Sequence, residues 1–514
     1  MNKAPFFIKK YLLVQLFLAF ALFFGQSNLE RSLPEDEGVS TEQILKFLKA
    51  ANNDKTTEFQ SFVLLRHGKV ISQATWKPYQ NSLKNTLYSC SKSFTATAIG
   101  FAVQEGKLKV SDQVISFFPD KLPANISENL QNLTVKDLLT MSAGMDPDPS
   151  FSIVPTETDW VKAFLATPIV NKPGTKFLYN SVATYMLSAI IQKVTGEELI
   201  AYLKPRLFDP LHIVGMDWEK DPAGIDSGGW GLRIKTEDMA KFAQLFLQKG
   251  KWDGQQILDE KWIMEASKAQ IMQNPGATME MKSGSDWLQG YGYQMWRSRH
   301  DSYRGDGAFG QLMLVLPKED AVIAVTAETK DMQAEMNLIW KYLLPAFHQK
   351  TLPENKEAYQ NLRALEENLV LKPLVSKTFP KIKKKFKLEE NPLHFTEICF
   401  KTKGKKLLVE FIKDSQKYGY QFTSGQWHLG DTNMKMPALT ALALGDTSHL
   451  YPAKTATSFE WKDQNNFELK IRFLESPHSQ IYKINFKENT VAITAENSLD
   501  FGTKNTIIKG TETK

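Results

Sequence analysis

Apolar positions along this chain recur with two different periods, and the change between them divides the sequence. The apolar segments 62–65 and 70–76 read as strands on either side of the turn His67-Gly68-Lys69, which predicts a hairpin. From Ser91 to Gln104 the apolar residues recur at helical spacing instead. We therefore expect a largely buried helix there, ending at Gly106.

Helical patterns then dominate the middle of the chain before strand patterns return. Helices are predicted at 40–51, 134–140, 159–166, 181–194, 197–207, 236–249, 259–269 and 331–344. Strands are predicted at 290–297, 302–304, 311–316 and 321–326. Since strands stand at both ends with helices between them, we expect an α/β (α+β) domain. It would hold one antiparallel sheet flanked by helices, with an all-helical insert.

The last quarter of the chain alternates apolar and polar residues almost throughout, as at 406–412 and 466–473. This pattern predicts a separate C-terminal all-β domain. A polar, helical-looking connector at 351–375 precedes it. The expected organisation is a first domain at 28–350, the connector, and a β-rich accessory domain at 376–514.

The N-terminal segment 1–27 has the composition of an export signal. Lys3, Lys9 and Lys10 form a basic start, residues 11–24 are almost all apolar, and small residues follow. The apolar stretch is shorter than the roughly 20 residues that span a bilayer, so a cleaved signal is favoured over a membrane anchor. We expect a periplasmic or secreted protein with no stable membrane insertion after cleavage.

Composition and charge narrow the possible partners. Hydrophobic residues make up 42% of the 514 residues and charged residues 23%, as in ordinary globular proteins. Loss of the three signal lysines would lower the formal net charge from +6 to +3, which is too small to indicate nucleic-acid binding. No metal-binding spacing of histidines or cysteines occurs, so neither a metal nor another cofactor is expected. The oligomeric state stays open.

One short motif carries candidate chemistry. Ser89 is the only serine in the chain with a lysine, Lys92, three positions later, and it opens the predicted buried helix. This spacing places both side chains on one helix face. A lysine whose pKa is lowered by burial can take the proton of a serine hydroxyl and make it nucleophilic. Ser89 and Lys92 are therefore the candidate nucleophile and base, and the adjacent Cys90 is interpreted as a packing residue.

Three ordered motifs resemble those of class C β-lactamases, penicillin-binding proteins and related serine esterases and amidases. They are Ser89-Cys-Ser-Lys-Ser-Phe94, the segment 133–144, and the segment 173–181 with Thr195-Gly196. The likeness spans roughly residues 30–348. It implies a β-lactamase/DD-peptidase-like sheet and a serine hydrolase that works through an acyl-enzyme.

The resemblance assigns further residues around the nucleophile. Tyr179 matches the family tyrosine that moves the proton between nucleophile, lysine and leaving group, and a neighbouring ammonium would lower its pKa. The family's Tyr-x-Asn is Tyr179-Asn180-Ser181 here, so Ser181 replaces the amide as a candidate substrate ligand. Asn180 is expected to point elsewhere.

A further family motif, Lys/His-x-Gly, lies on the strand that lines the site. It aligns with Gly305-Asp306-Gly307 here, so the family's cation is missing. That cation helps to bind the substrate carboxylate of β-lactams and D-Ala-D-Ala peptides, and its loss argues against efficient β-lactam binding. The Gly-x-Gly-x-x-Gly-Gln pattern is similar to the branch of 6-aminohexanoate-dimer hydrolase and carboxylesterases. The resemblance implies an oxyanion hole of the Ser89 and Ala308 amides. Further substrate-binding candidates are Gly307, Gln311, Trp230 and Arg304.

The sequence thus predicts an exported serine hydrolase that cleaves an ester or amide bond in a small-molecule or peptide-like substrate. Ser89 would carry the acyl group, with Lys92 and Tyr179 as general acid and base. Two alternatives remain open at this point. One is a true β-lactamase or DD-peptidase, and the other is a catalytically inactive protein that binds cell wall or glycan. The natural substrate and the role of the C-terminal domain are not fixed by the sequence.

Overall fold

The computed structural model describes residues 29–438, 443–498 and 505–513. The predicted signal segment 1–27 lies outside these residues. None of the helices in the described ranges is long and apolar enough to cross a membrane.

Helices and strands alternate in the first part of the chain, and strands alone follow. The helices are α1 (Thr41–Asn53), α2 (Ser91–Gln104), α3 (Glu128–Asn132), α4 (Val135–Leu139), α5 (Ser150–Ile153), α6 (Trp160–Ala166), α7 (Ser181–Thr195), α8 (Leu199–Leu203), α9 (Thr236–Leu247), α10 (Glu260–Ser267), α11 (Met279–Gly284), α12 (Met332–Tyr342) and α13 (Lys356–Asn368).

The strands of the first part are β1 (Thr57–Arg66), β2 (Lys69–Thr75), β3 (Asn85–Thr86), β4 (Arg233–Ile234), β5 (Lys251–Trp252), β6 (Gln255–Gln256), β7 (Trp296–Arg297), β8 (Tyr303–Gly307), β9 (Gln311–Leu316) and β10 (Ala321–Thr329). Those of the C-terminal part are β11 (Lys383–Leu388), β12 (Phe395–Lys403), β13 (Lys406–Lys413), β14 (Gln416–Thr423), β15 (His428–Thr432), β16 (Ala453–Trp461), β17 (Asn466–Phe473), β18 (Ser479–Lys487), β19 (Thr490–Asn497) and β20 (Thr506–Thr513).

The central sheet joins the two ends of the first part. Its order is β2-β1-β10-β9-β8-β7, and its paired strands run antiparallel. Strand β1 pairs along its length with β10, from Thr57 opposite Thr329 to Arg66 opposite Ala321. The predicted antiparallel sheet, closed by both ends of the segment, is confirmed.

Two apolar cores lie on opposite faces of this sheet, because its buried strands present large side chains to both sides. One core joins the sheet to α1, α12 and α13. The other joins it to α2, α7 and α9 and the shorter helices of the middle segment. Helix α2 is buried from Ser91 to Ala102, so it forms the centre of the second core.

The C-terminal strands form a ten-stranded sheet in the order β14-β13-β12-β11-β20-β19-β18-β17-β16-β15. Its neighbours are antiparallel, and a parallel contact of Thr423 with Ser458 closes it on itself. A separate core of aromatic and aliphatic residues fills its interior. The predicted all-β C-terminal domain is confirmed as a barrel.

The strand predicted at 290–297 and the helix predicted at 197–207 were much too long, for local reasons, whereas the strands predicted at 62–65 and 302–304 extend to Thr57–Arg66 and Tyr303–Gly307. The strand predicted at 290–297 reduces to β7, because Gly290 (φ 105°) and Gln294 (φ 57°) adopt backbone angles that interrupt pairing. The helix predicted at 197–207 is helical only in α8, followed by a π turn at Lys204–Phe208. Pro205 in that turn has no N–H to continue the helix.

Candidate active site

Ser89 lies in a tight turn at the start of a buried helix. The 3₁₀ turn Tyr88–Cys90 runs directly into α2, and the Cys90 amide donates to the Leu87 carbonyl at 3.1 Å. Ser89 is half-buried, whereas the neighbouring Cys90 is fully buried and donates its thiol to the Gln311 carbonyl. Burial raises the pKa of Cys90, so this thiol stays protonated. Ser89 is thus the accessible hydroxyl of the turn.

Lys92 has the buried amine that the motif requires. Its side chain lies one turn along α2, and the residue is 1% exposed. The amine donates to Ser181 Oγ at 3.0 Å and to the Gly229 carbonyl at 2.6 Å. Burial lowers the pKa of Lys92 to about 7, against an opposing effect of the nearby Asp148 and Asp306 carboxylates.

Tyr179 lies next to both Ser89 and Lys92. Its phenol lies beside the Ser89 side chain, and the Lys92 Nζ lies over its ring, 5.0 Å from the ring centre. The ring also stacks on Trp296, with centroids 5.6 Å apart. The Tyr179 ring is thus held between the Lys92 amine and the Trp296 ring.

The expectation of a lowered pKa for Tyr179 was wrong. Burial, reinforced by the Asp306 carboxylate, raises the pKa of Tyr179 well above its usual value. Lys92 provides little opposing charge, since burial drives its own amine towards the neutral form. Tyr179 is therefore a protonated phenol at neutral pH.

Asn180 and Ser181 have different contacts at the start of α7. Asn180 caps α7, since its Oδ1 accepts from the Ala183 amide at 3.0 Å. This confirms that its side chain points elsewhere. Ser181 is half-buried, and its hydroxyl accepts from Lys92. The replacement of the amide by serine therefore leaves a polar group beside the amine.

The glycine pair Gly228-Gly229 provides a contact that sequence reasoning missed. The Gly229 carbonyl accepts from Lys92, and a Cβ on Gly229 would lie 2.7 Å from the Ser181 carbonyl oxygen. Only a residue without a side chain fits this approach. The signal was present as Asp226-Ser-Gly-Gly-Trp230, but the sequence could not show which atom faces Lys92.

Strand β8 passes close to the nucleophile turn. A Cβ on Gly307 would lie 2.1 Å from the Leu87 carbonyl oxygen, and one on Gly305 would lie 2.7 Å from Met313 and 2.8 Å from Ser93 Oγ. The family's cation is absent at Gly305, and any side chain there would require Met313 and Ser93 to move. Ala308 follows in the turn after β8 and is half-buried.

The other substrate-binding candidates lie in the packing around the site. Arg304 is fully buried, and its Nε donates to Asp306 at 3.0 Å while its guanidinium lies 4.4 Å from the centre of the Trp287 ring. Gln311 is also fully buried and donates to the Ala327 carbonyl at 2.8 Å. Trp230 is 7% exposed and packs on Trp160. The structure places Ser89, Lys92, Tyr179 and Ser181 together. Arg304, Gln311 and Trp230 instead pack in the surrounding structure.

No cluster of three or more potential metal ligands occurs among the residues that the structure describes. The polar groups assembled around Ser89 are an amine, a phenol, a hydroxyl and peptide groups, which are the components of acyl transfer.

Comparison with known proteins assigns the class. The sequence model of the β-lactamase family matches residues 58–346, which is more than half of the 514 residues. The chain belongs to the β-lactamase family, a family of hydrolases, and the predicted family resemblance is confirmed.

Individual relatives are distant. The 6-aminohexanoate-dimer hydrolase of Paenarthrobacter ureafaciens is 23% identical over 296 residues, covering 53% of this chain and 73% of that protein. Protein flp of Staphylococcus aureus strain N315 is 25% identical over 197 residues, covering 35% of this chain and 39% of flp. A solved structure described as a "putative beta-lactamase" from Bacteroides dorei superposes with a TM-score of 0.51 at 16% identity, over 60% of this chain and 99% of that one. This last likeness shows the fold alone.

Proposed function

We propose that the protein is an exported serine hydrolase that cleaves an ester or amide bond through an acyl-enzyme on Ser89. The observation that carries the proposal is the buried Lys92 amine, which has a pKa of about 7, lies one helical turn from Ser89 and sits over the Tyr179 ring. Near pH 7 about half of such amines are neutral and can accept a proton. Export rests on the composition of residues 1–27.

The hydrogen bonds of Lys92 support its role as the base. A neutral amine has two N–H donors and one lone pair. Ser181 and Gly229 account for two donated hydrogen bonds, which leaves the lone pair for a proton. In the proposed step, Ser89 Oγ attacks the substrate carbonyl and its proton passes to Lys92 by way of the Tyr179 phenol.

The later steps use the same groups in reverse. The peptide amides of Ser89 and Ala308 stabilise the negative charge on the carbonyl oxygen. As the intermediate collapses, Tyr179 gives its proton to the leaving alcohol or amine and regains one from Lys92. Water then attacks the acyl-enzyme, the same relay takes its proton, and the acid product leaves with Ser89 restored.

The glycine at position 305 supports an ester or amide substrate over a β-lactam. β-Lactams and D-Ala-D-Ala peptides present a carboxylate, which a cation at this position would bind. Gly305 has none, and a Cβ there would already require the Met313 and Ser93 side chains to move. The Arg304 guanidinium is already paired with Asp306.

Mass spectrometry of the intact protein tests the proposal directly. A fluorophosphonate or p-nitrophenyl acetate should add one acyl or phosphonyl group to Ser89, and Ser89→Ala should abolish the adduct. Absence of any adduct on the wild type would favour a binding protein without catalysis. Rapid nitrocefin turnover that depends on Ser89 would instead identify a β-lactamase and overturn the interpretation of Gly305.

A further inference from the structure

A loop of the C-terminal domain lies against the residues that lead to Ser89. Residues 474–478 connect β17 to β18. The carbonyl of Glu475 in this loop accepts from the Thr86 amide at 3.0 Å, and that of Pro477 accepts from the Gln60 side chain at 3.1 Å. The loop is therefore bonded to the catalytic domain three residues before the nucleophile.

His478 at the end of this loop is completely buried between the two domains. Its Nε2 lies 2.5 Å from the Tyr88 hydroxyl, and its Nδ1 lies 3.2 Å from the Glu328 carboxylate of β10. When Nδ1–H donates to Glu328, Nε2 is left to accept the Tyr88 O–H. The ring also stands edge-on to Phe309, with centroids 5.0 Å apart.

The two aromatic residues that His478 touches have strained backbones. Tyr88 has φ 47° and Phe309 has φ 69°, in the left-handed region that bulky side chains avoid. Such conformations persist where the surroundings hold them, and they concentrate at functional sites. Tyr88 directly precedes Ser89, and Phe309 directly follows Ala308. One histidine thus contacts the neighbours of both proposed oxyanion donors.

We propose that His478 is a positioning residue for acylation, through which the C-terminal domain holds the Ser89 and Ala308 amides in place. Contact with Tyr88 and Phe309 fixes the backbone on both sides of the oxyanion site. Transition-state stabilisation by amides depends steeply on their geometry. The inference rests on the proposed function, because it concerns the same acyl transfer. It also gives the C-terminal domain a part in catalysis.

Steady-state kinetics on the full chain test this inference. We expect His478→Ala to lower kcat for p-nitrophenyl acetate by about 10- to 100-fold, with KM changed by less than about twofold, since one lost oxyanion donor costs about 10²–10³. Tyr88→Phe removes a single hydroxyl and keeps the ring, so it tests the hydrogen bond even where His478→Ala fails to fold. We expect about a tenfold loss of kcat from it.

Two further variants separate positioning from stability. His478→Gln keeps a side-chain acceptor for the Tyr88 hydroxyl, and it should recover part of the lost kcat. His428 lies on β15 of the same domain, bonded to Gln421 of that domain, and His428→Ala should leave kcat unchanged. The double variant Tyr88→Phe/His478→Ala should be no slower than His478→Ala, since both remove the same hydrogen bond.

The outcomes distinguish this inference from the proposed function. A wild-type protein that forms no Ser89 adduct overturns both. A wild type that reacts at Ser89, with His478→Ala and Tyr88→Phe within about twofold of its kcat, overturns the positioning role alone. Losses that multiply in the double variant would also contradict a shared action through the Tyr88–His478 hydrogen bond.

Discussion

At the scale of single residues, the proposed chemistry depends on the pKa of one side chain. Lys92 is buried among groups that accept its hydrogens, and burial lowers its pKa to about 7. The sequence predicted a buried lysine because the helical pattern around it is apolar on nearly every side. It did not predict Asp148 or Asp306 beside it, because these acids come from a distant loop and strand.

The proposed activity should follow the titration of Lys92. The base must be neutral, so kcat/KM should rise as the pH increases through about 7 and level off above it. Lys92→Arg keeps a permanent charge, so it should lose about 10²–10⁴ in rate and the pH step with it. Hydrolysis of p-nitrophenyl acetate from about pH 5 to about pH 9, corrected with Ser89→Ala, measures both. A flat wild-type profile would exclude Lys92 as the base.

The same burial predicts an effect on stability. Because the folded-state pKa of Lys92 lies below the unfolded value, the unfolded chain binds the extra proton. The buried Lys92 therefore lowers the free energy of unfolding. This effect is complete below about pH 7 and disappears as the pH rises towards about 10.4. Lys92→Met should therefore raise the Tm at pH 6 by more than at pH 10, as thermal unfolding followed by circular dichroism would show. An equal or opposite shift at the two pH values would contradict the lowered pKa.

At the scale of helices and strands, the sequence predicted an element's bounds correctly where a local pattern of apolar residues determines them. Helix α2 was predicted over its observed range because its signal is a periodic apolar pattern. The strand at 290–297 was overestimated because Gly290 and Gln294 take left-handed angles that the pattern does not record. The role of Gly229 was missed for a further reason: close approach to Ser181 and Lys92 arises only in the assembled fold.

The glycine loop should tolerate no side chain at position 229. In Gly229→Ala the new Cβ would lie 2.7 Å from the Ser181 carbonyl, so the loop must shift and withdraw its carbonyl from Lys92. We expect kcat to fall by about 10²-fold, as for misplaced catalytic groups. Gly276→Ala is the matched control, because its nearest neighbour is 3.5 Å away. Equal kcat values for the two variants would contradict the positioning of Lys92 by this loop.

Strand β8 should not accept the family's cation. The Cβ of Gly305→Lys would lie 2.8 Å from Ser93 Oγ, which already donates to the Gln294 carbonyl. We expect overpacking to lower the free energy of unfolding by about 1–3 kcal/mol, and with it the Tm. We expect no gain of nitrocefin hydrolysis. Gain of turnover without loss of stability would show that the site can still bind a carboxylate.

At the scale of the whole molecule, charged side chains pair across the interface between the two domains. Arg472 of β17 has a side chain only 1% exposed, and its guanidinium lies 2.8 Å from Glu58 of β1. Arg233, also buried, is paired with Asp217 of its own domain at 2.7 Å and lies 3.6 Å from Glu475 in the His478 loop. A buried guanidinium without a partner is costly, so Glu58 of the first domain stabilises the Arg472 charge of the second. The sequence predicted two domains from the different spacing of their apolar residues. It did not predict this interface, because no local sequence pattern encodes contacts between distant segments.

Breaking one of these pairs should destabilise the whole chain. Glu58→Gln leaves Arg472 without its carboxylate, and since Glu58 is partly exposed we expect a loss of about 1–3 kcal/mol, below the 3–5 of a fully buried pair. The control is Asp301→Asn, which breaks the exposed pair with Lys318 and should cost less than about 1 kcal/mol. Urea unfolding followed by tryptophan fluorescence measures both.

The pH dependence of that loss tests its electrostatic origin. Burial favours the neutral Glu58, but the charges of Arg472 and Lys470 prevail and hold the pKa of Glu58 below its usual value. The stabilisation should therefore be complete above the usual pKa of about 4.3 and fade as the pH falls through the lower folded-state value. The difference between wild type and Glu58→Gln should shrink at acid pH, whereas a difference that persists there would point to shape rather than charge at the interface.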